Sequence, residues 1–171
     1  MKEMTEEEAR LRLATVCSQA EHCSHEMVEK MKRWGVAEDA RARVMKYLTA
    51  NRFVDDERFA RAFASDKIKY NKWGRRKIEQ AMWMKHINSD IQQRVLDGIG
   101  DGEYMAVLRP LLDSKRKSTR AAANEYELNT KLIRFGISRG FTFDQIRRCL
   151  GDAADCTDGL DSDYPDGEYE D

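Results

Sequence analysis

The stretch 27-MVEKMKRWGVAEDARARVMKYL-48 decides how this chain folds. Met27, Val28, Met31 and Trp34 recur at steps of three and four, which places them on one face of a helix. Ser24 before them is a natural N-cap, and Gly35 after them a natural stop. Ala40, Val44 and Leu48 then repeat every four residues and predict a second helix. The pattern returns 51 residues later in 78-IEQAMWMKHINSDIQQRVLDGI-99. Met27 falls on Ile78, Met31 on Met82, Val36 on Ile87, Asp39 on Asp90, Val44 on Val95 and Leu48 on Ile99. A fainter copy, offset by 105, places Leu132, Gly140, Phe141 and Asp144 on Met27, Gly35, Val36 and Asp39. A fixed period of this length marks a tandem array of supersecondary units.

The remaining apolar residues keep the helical spacing: Phe59 with Phe63, Ile91 with Val95, Leu108 with Leu111 and Leu112, Leu128 with Leu132, Phe143 with Ile146 and Leu150. About nine helices with short connections follow, and no strand pattern competes. Only 2 prolines and 10 glycines interrupt them. The expected fold is all-α, with three tandem three-helix modules at 5–52, 53–100 and 101–150. Each module would mainly contact its neighbours and so build an elongated, curved array. Residues 151–171 have little to bury and read as a disordered acidic C-terminal tail. Pro110 is expected to kink or interrupt its helix, or to mark the helix start.

Charge is distributed unevenly along the 171 residues. Apolar residues make up 41% and charged residues 36%, which suits amphipathic helices with densely charged outer faces. The formal net charge of -1 hides nine acids and no Lys or Arg in 151–171. That leaves 22 acids against 30 bases in residues 1–150. A basic body points to an anionic partner, with the tail competing for the same surface. No segment approaches the roughly 20 continuous apolar residues of a membrane span. The opening MKEMTEEEARLRL resembles neither a secretory nor a transit peptide. A cytoplasmic protein is expected, with Cys17, Cys23, Cys149 and Cys156 reduced.

Three groups of residues bear on chemistry. In 53-FVDDERFARAF-63, Asp55, Asp56 and Glu57 suggest either a catalytic or metal-binding acid cluster or the first turn of a helix. Unpaired N–H groups at a helix start favour acids, so Asp55 reads as an N-cap, and Asp55→Ala is expected to cost about 1 kcal/mol. Cys17, His22, Cys23 and His25 are zinc-ligand types, but adjacent His22 and Cys23 do not match paired-ligand spacing. Cys149 and Cys156 form no redox pair, and His86 reads as an exposed residue. No phosphate loop or nucleophile elbow is present. No metal or other cofactor is expected.

The third group is basic. In 67-KIKYNKWGRRKIEQ-80, Lys67, Lys69, Lys72, Arg75, Arg76 and Lys77 surround Tyr70 and Trp73. Such interleaving binds phosphates and stacks bases, or matches an acidic protein groove; it also describes an ordinary charged helix face over buried aromatics. A second run holds Lys115, Arg116, Lys117 and Arg120, and Arg147 with Arg148 forms a third patch.

At these residues the chain resembles the RecX regulatory family. The resemblance rests on V-D-D-E-R-F-A, carrying Asp55, Asp56, Arg58, Phe59 and Ala60, then on G-R-R-K-I, carrying Gly74 and Ile78, and on the tandem modules. It covers about residues 8–150. Two departures stand out. His86 occupies a position where Gly is usual, and Gly136 replaces an expected large apolar residue, so looser packing is expected there. A monomer is expected, and the resemblance implies a protein without a catalytic site that lodges in the groove of RecA recombinase filaments on single-stranded DNA. It also implies that ATP hydrolysis and strand exchange are suppressed and filament disassembly promoted. Asp55 and Asp56 are then structural, and the basic residues are the contacts. Two other readings remain at this point: a helical-repeat nucleic-acid binder without a recombinase target, and an enzyme built on the Asp55/Asp56 acids or the Cys/His group.

Overall fold

The computed structural model of the chain describes residues 3–119 and 124–151. Among these the chain forms nine α-helices and no strand. They are α1 Glu6–Gln19, α2 Ser24–Arg33, α3 Glu38–Ala50, α4 Asp56–Lys69, α5 Arg75–Met84, α6 Ser89–Asp97, α7 Asp101–Ser118, α8 Glu125–Ser138 and α9 Phe143–Leu150. Of the expected disordered tail 151–171, Gly151 is described and residues 152–171 lie outside the described residues, as do Arg120 and Cys156. No described helix is long and apolar enough to cross a membrane.

The chain divides into two compact units, Met1–Ser65 with Gln80–Gly98, and Asp66–Glu79 with Ile99–Asp171. Helices α4 and α5 therefore each contribute one end to either unit. In the first unit α1 and α2 pack on α3. Ala9, Leu13, Met27, Met31, Val36, Ala40, Val44, Leu48 and Val54 form its core around that packing. Thr5 opens α1 with a reciprocal cap: its hydroxyl accepts from Glu8 N–H, and Glu8 accepts from Thr5 N–H. In the second unit α7, α8 and α9 pack on one another. Tyr104, Leu108, Leu132, Ile133, Phe141 and Ile146 are buried there.

The repeat is visible in the backbone. Val36 N–H donates to Met31 O, Ile87 N–H to Met82 O, and Phe141 N–H to Gly136 O, at 3.0 to 3.2 Å. Between each pair sits a left-handed residue: Gly35 at φ 72°, His86 at φ 55° and Gly140 at φ 92°. His86 thus takes the conformation that glycine takes in the other two copies, a position histidine tolerates better than most side chains. An ion pair repeats too. Arg43 meets Glu6 at 2.9 Å, Arg94 meets Glu57 at 2.9 Å, and Arg148 meets Asp101 at 2.8 Å. Each pair ties the third helix of a copy to the start of its first, and at these exposures each adds little stability. One contact repeats with its partners exchanged. Arg12 lies over Trp34 at 4.9 Å, whereas 51 residues on Lys85 lies over Phe63 at 6.0 Å.

Three local expectations need correction. Helix α7 runs through Pro110 rather than breaking or starting there. Pro110 and Ala106 are both exposed, so the carbonyl that loses its helical donor is at the surface. Ser24 is the first residue of α2, not its cap; Cys23 holds the cap position without a side-chain bond, and Ser24 N–H donates to Asp56 Oδ1 at 2.7 Å. Packing at Gly136 is tight rather than loose: a Cβ there would lie 2.7 Å from Ile146 Cδ1. Ile146, itself fully buried, occupies the space that a large side chain at 136 would need.

Candidate partner-binding surface

The basic stretch forms the end of α4, the connection to α5 and the first turn of α5, all in the second unit. Ile68 near the end of α4 and Ile78 in the first turn of α5 are both buried. Chain reversal between them requires Lys72 at φ 58°. Its ammonium donates to Lys69 O at 2.6 Å. Gly74 then seats the start of α5 on the α8–α9 turn: its N–H donates to Arg139 O at 2.8 Å, and Arg76 N–H donates to Gly140 O at 3.2 Å. This seating aims the following Arg75, Arg76 and Lys77.

The side chains gather around one ring. Lys67 and Lys77 place their ammonium groups 4.8 and 4.9 Å from the Trp73 ring centroid. Lys69 lies 5.3 Å from the ring of Tyr70, which is 68% exposed. Arg75 pairs with Glu79 at 2.8 Å. Lys69, Lys72 and Arg76 are exposed. Residues 66–79 carry six bases against two acids, so a positive potential extends from this edge.

The second basic run is arranged differently. Lys115 lies 5.0 Å from the Phe135 ring, which Arg139 also faces at 5.2 Å. Arg116 lies 3.9 Å from Glu125. Lys115 and Arg116 thus reach toward α8, and among the described bases of this run Lys117 is the exposed one. Arg147 and Arg148 face Asp144, with Arg148 also on Asp101.

The acids and the thiol–imidazole group have local partners. Asp55 Oδ1 accepts from Arg58 N–H at 3.0 Å, closing the first turn of α4. Asp56 reaches α2 as described, and Glu57 is shared by Arg61 and Arg94. Those two guanidinium groups, Arg94 first, hold the Glu57 carboxyl below its ordinary range. Arg58 bonds Glu21 at 2.6 Å and the carbonyl of Arg52 at 3.0 Å, while Phe59 and Ala60 are buried. Cys17 Sγ faces Met27 Sδ at 3.6 Å, Cys23 Sγ faces Lys85 O at 3.8 Å, and His25 stacks on His86 at 3.9 Å. Burial pushes the Cys23 thiol up to about 11. Among the described residues no three His, Cys, Asp or Glu gather closely enough to hold a metal.

Glu26 joins two elements of the first unit, with His22 Nδ1 at 2.7 Å and Lys85 Nζ at 2.8 Å. Burial raises its pKa, but the bonds from Lys85 and then His22 outweigh this and leave it lowered. A lowered carboxyl stabilises the fold above the ordinary range near pH 4.3 and loses that contribution as pH falls through its own value. Glu26→Gln is therefore expected to lower the urea midpoint at pH 7, and the gap to the parent should narrow on acidification toward pH 3. A pH-independent gap would contradict the assignment.

Sequence reasoning passed over Trp83 and Met84, which are 70% and 65% exposed at the end of α5. The signal was present: Ile78 and Met82 define the buried face, and the two residues after Met82 turn by about 100° each away from it.

Comparisons with known proteins bear on the whole arrangement. Two family models match: RecX, second three-helix domain, over residues 55–96, and RecX, third three-helix domain, over residues 102–150. The regulatory protein RecX of Chromobacterium violaceum is 32% identical over 144 residues, covering 84% of this chain and 90% of that protein. That of Clostridium botulinum is 27% identical over 126 residues, covering 73% of this chain and 58% of its own length. The crystal structure of RecX from Lactobacillus salivarius superposes with a TM-score of 0.77 at 14% identity, over 85% of this chain and 94% of that one.

Proposed function

The chain belongs to the RecX family of regulatory proteins, and from that premise we propose that it binds RecA recombinase filaments and restrains them. It acts as a monomer without chemistry of its own, by occupying the filament groove and so suppressing ATP hydrolysis, strand exchange and filament growth. A RecA partner places its work in the cytoplasm. The observation that carries this reading is the exposed, basic α4–α5 connection, with Lys69, Lys72 and Arg76 at the surface and Lys67 and Lys77 flanking Trp73. Charges of this kind meet acidic protein surface or DNA phosphate, and the exposed Tyr70 offers a face for a base. Lys117 and Arg120 serve as secondary contacts, with Lys115 and Arg116 lending charge from behind. Arg75 does so from within its pair with Glu79.

The test is ATP hydrolysis by the cognate RecA on single-stranded DNA, titrated with this protein. Inhibition is expected. The triple variant Lys69→Ala, Lys72→Ala, Arg76→Ala should need about tenfold more protein for the same inhibition, equivalent to about 1.4 kcal/mol of binding. Its helicity should be unchanged, because all three side chains are exposed. No inhibition, together with tight and steeply salt-dependent binding to bare DNA, would replace the proposal with a nucleic-acid binder that lacks a recombinase target.

A further inference from the structure

The basic connection has a complementary sequence in its own chain. Residues 152–171 carry Asp152, Asp155, Asp158, Asp161, Asp163, Asp166, Glu168, Glu170 and Asp171, with Tyr164 and Tyr169 among them and no Lys or Arg. Their point of attachment is close to the basic residues. Gly151 follows α9 in the same unit. The turn that leads into α9 is the one on which α5 is seated, through Gly74 N–H to Arg139 O and Arg76 N–H to Gly140 O. From Gly140 to Gly151 the path is two connecting residues and one eight-residue helix, about 25 Å at most. The 20 residues beyond Gly151 have a contour of about 70 Å. Reach is therefore ample. Tethering on this scale corresponds to millimolar effective concentration, so even a weak contact is populated.

Charge and ring chemistry match as well. Nine carboxylates face a stretch with six bases and two acids, and tyrosines interspersed with the acids are suited to lysine ammonium groups. We propose that the acidic segment 152–171 lies on the basic α4–α5 connection of its own chain, at Lys69, Lys72 and Arg76, and that an anionic partner must displace it. This rests on the reading of that connection as the partner surface, and it adds the regulation of that surface.

The experiment uses the full chain. Zero-length carbodiimide coupling in 50 mM salt joins carboxylates to lysines in direct contact. Isolated monomers are digested, and links from 152–171 are mapped. Links concentrated on Lys67, Lys69, Lys72 and Lys77, and lost in 500 mM salt, are expected. Links scattered evenly over lysines outside the connection, such as Lys30, Lys46 and Lys131, or links confined to dimers, overturn the proposal. A second full-length variant, with the nine acids changed to Asn or Gln, then enters the RecA ATPase titration and should inhibit at about five- to tenfold lower concentration. Equal potency of the two proteins overturns the regulatory claim. Mapped links without any effect on RecA leave the docking intact and refute the partner; inhibition without mapped links does the reverse.

Discussion

Gly74→Ala is expected to destabilise the protein by about 3 kcal/mol or more, because the added methyl meets backbone that has nowhere to move. A Cβ at Gly74 would lie 2.4 Å from Gly140 C and O and 2.5 Å from Phe141 N. Relief requires α5 to withdraw from the α8–α9 turn, which breaks the bonds from Gly74 N–H and Arg76 N–H. For a chain of this size the melting temperature should fall by about 10 °C. Gly102→Ala is the control. It sits in α7, where a Cβ meets nothing within 4 Å, so the change should be neutral or stabilise by up to about 1 kcal/mol. Similar melting temperatures for the two variants would contradict the seating. If the chain inhibits RecA as proposed, Gly74→Ala should also weaken that inhibition, because Arg75, Arg76 and Lys77 follow directly on the displaced residue.

The second large effect lies at Gly136 and Ile146. These positions are Met31 with Arg41 in the first copy and Met82 with Gln92 in the second. There the methionine is buried, and the polar side chain donates to a turn carbonyl, Arg41 to Val36 O and Gln92 to Ile87 O, both at 2.8 Å. In the third copy the volume has moved from one helix to the other. Ile146→Ala should cost about 3 kcal/mol by opening a cavity, and Gly136→Met about 2 kcal/mol by overpacking. The double variant Gly136→Met, Ile146→Gln restores the pairing of the second copy. It should lose at least about 1 kcal/mol less than the sum of its single changes in urea denaturation. Strict additivity would mean that the two sites do not share the space.

Much of the fold was legible because helical periodicity is local. The stripe of Met27 and Met31 and its copy in Ile78 and Met82 named residues that are all fully buried. The left-handed turn positions were legible at Gly35 and Gly140 and obscured at His86, where the residue type does not announce the conformation. The basic surface was legible as composition but not as presentation. Nothing in 115-KRKSTR-120 indicates that Lys115 turns to Phe135, or in 67-KIKYNKWGRRK-77 that two lysines share one indole. Trp83 and Met84 were missed because a helix pattern is read for what it buries.

By itself the sequence determined the helices, their repeat and the face each one buries, since these depend on spacing within a single turn or two. Only the tertiary structure decided which of two equivalent positions tolerates a side chain. Cys23 and Gly74 stand 51 residues apart in the repeat, each at the start of a second helix. Cys23 is accommodated, with its thiol beside Lys85 O, whereas at Gly74 backbone touches backbone. The difference is a matter of how closely two segments distant in sequence approach, and close packing makes a fraction of an ångström count.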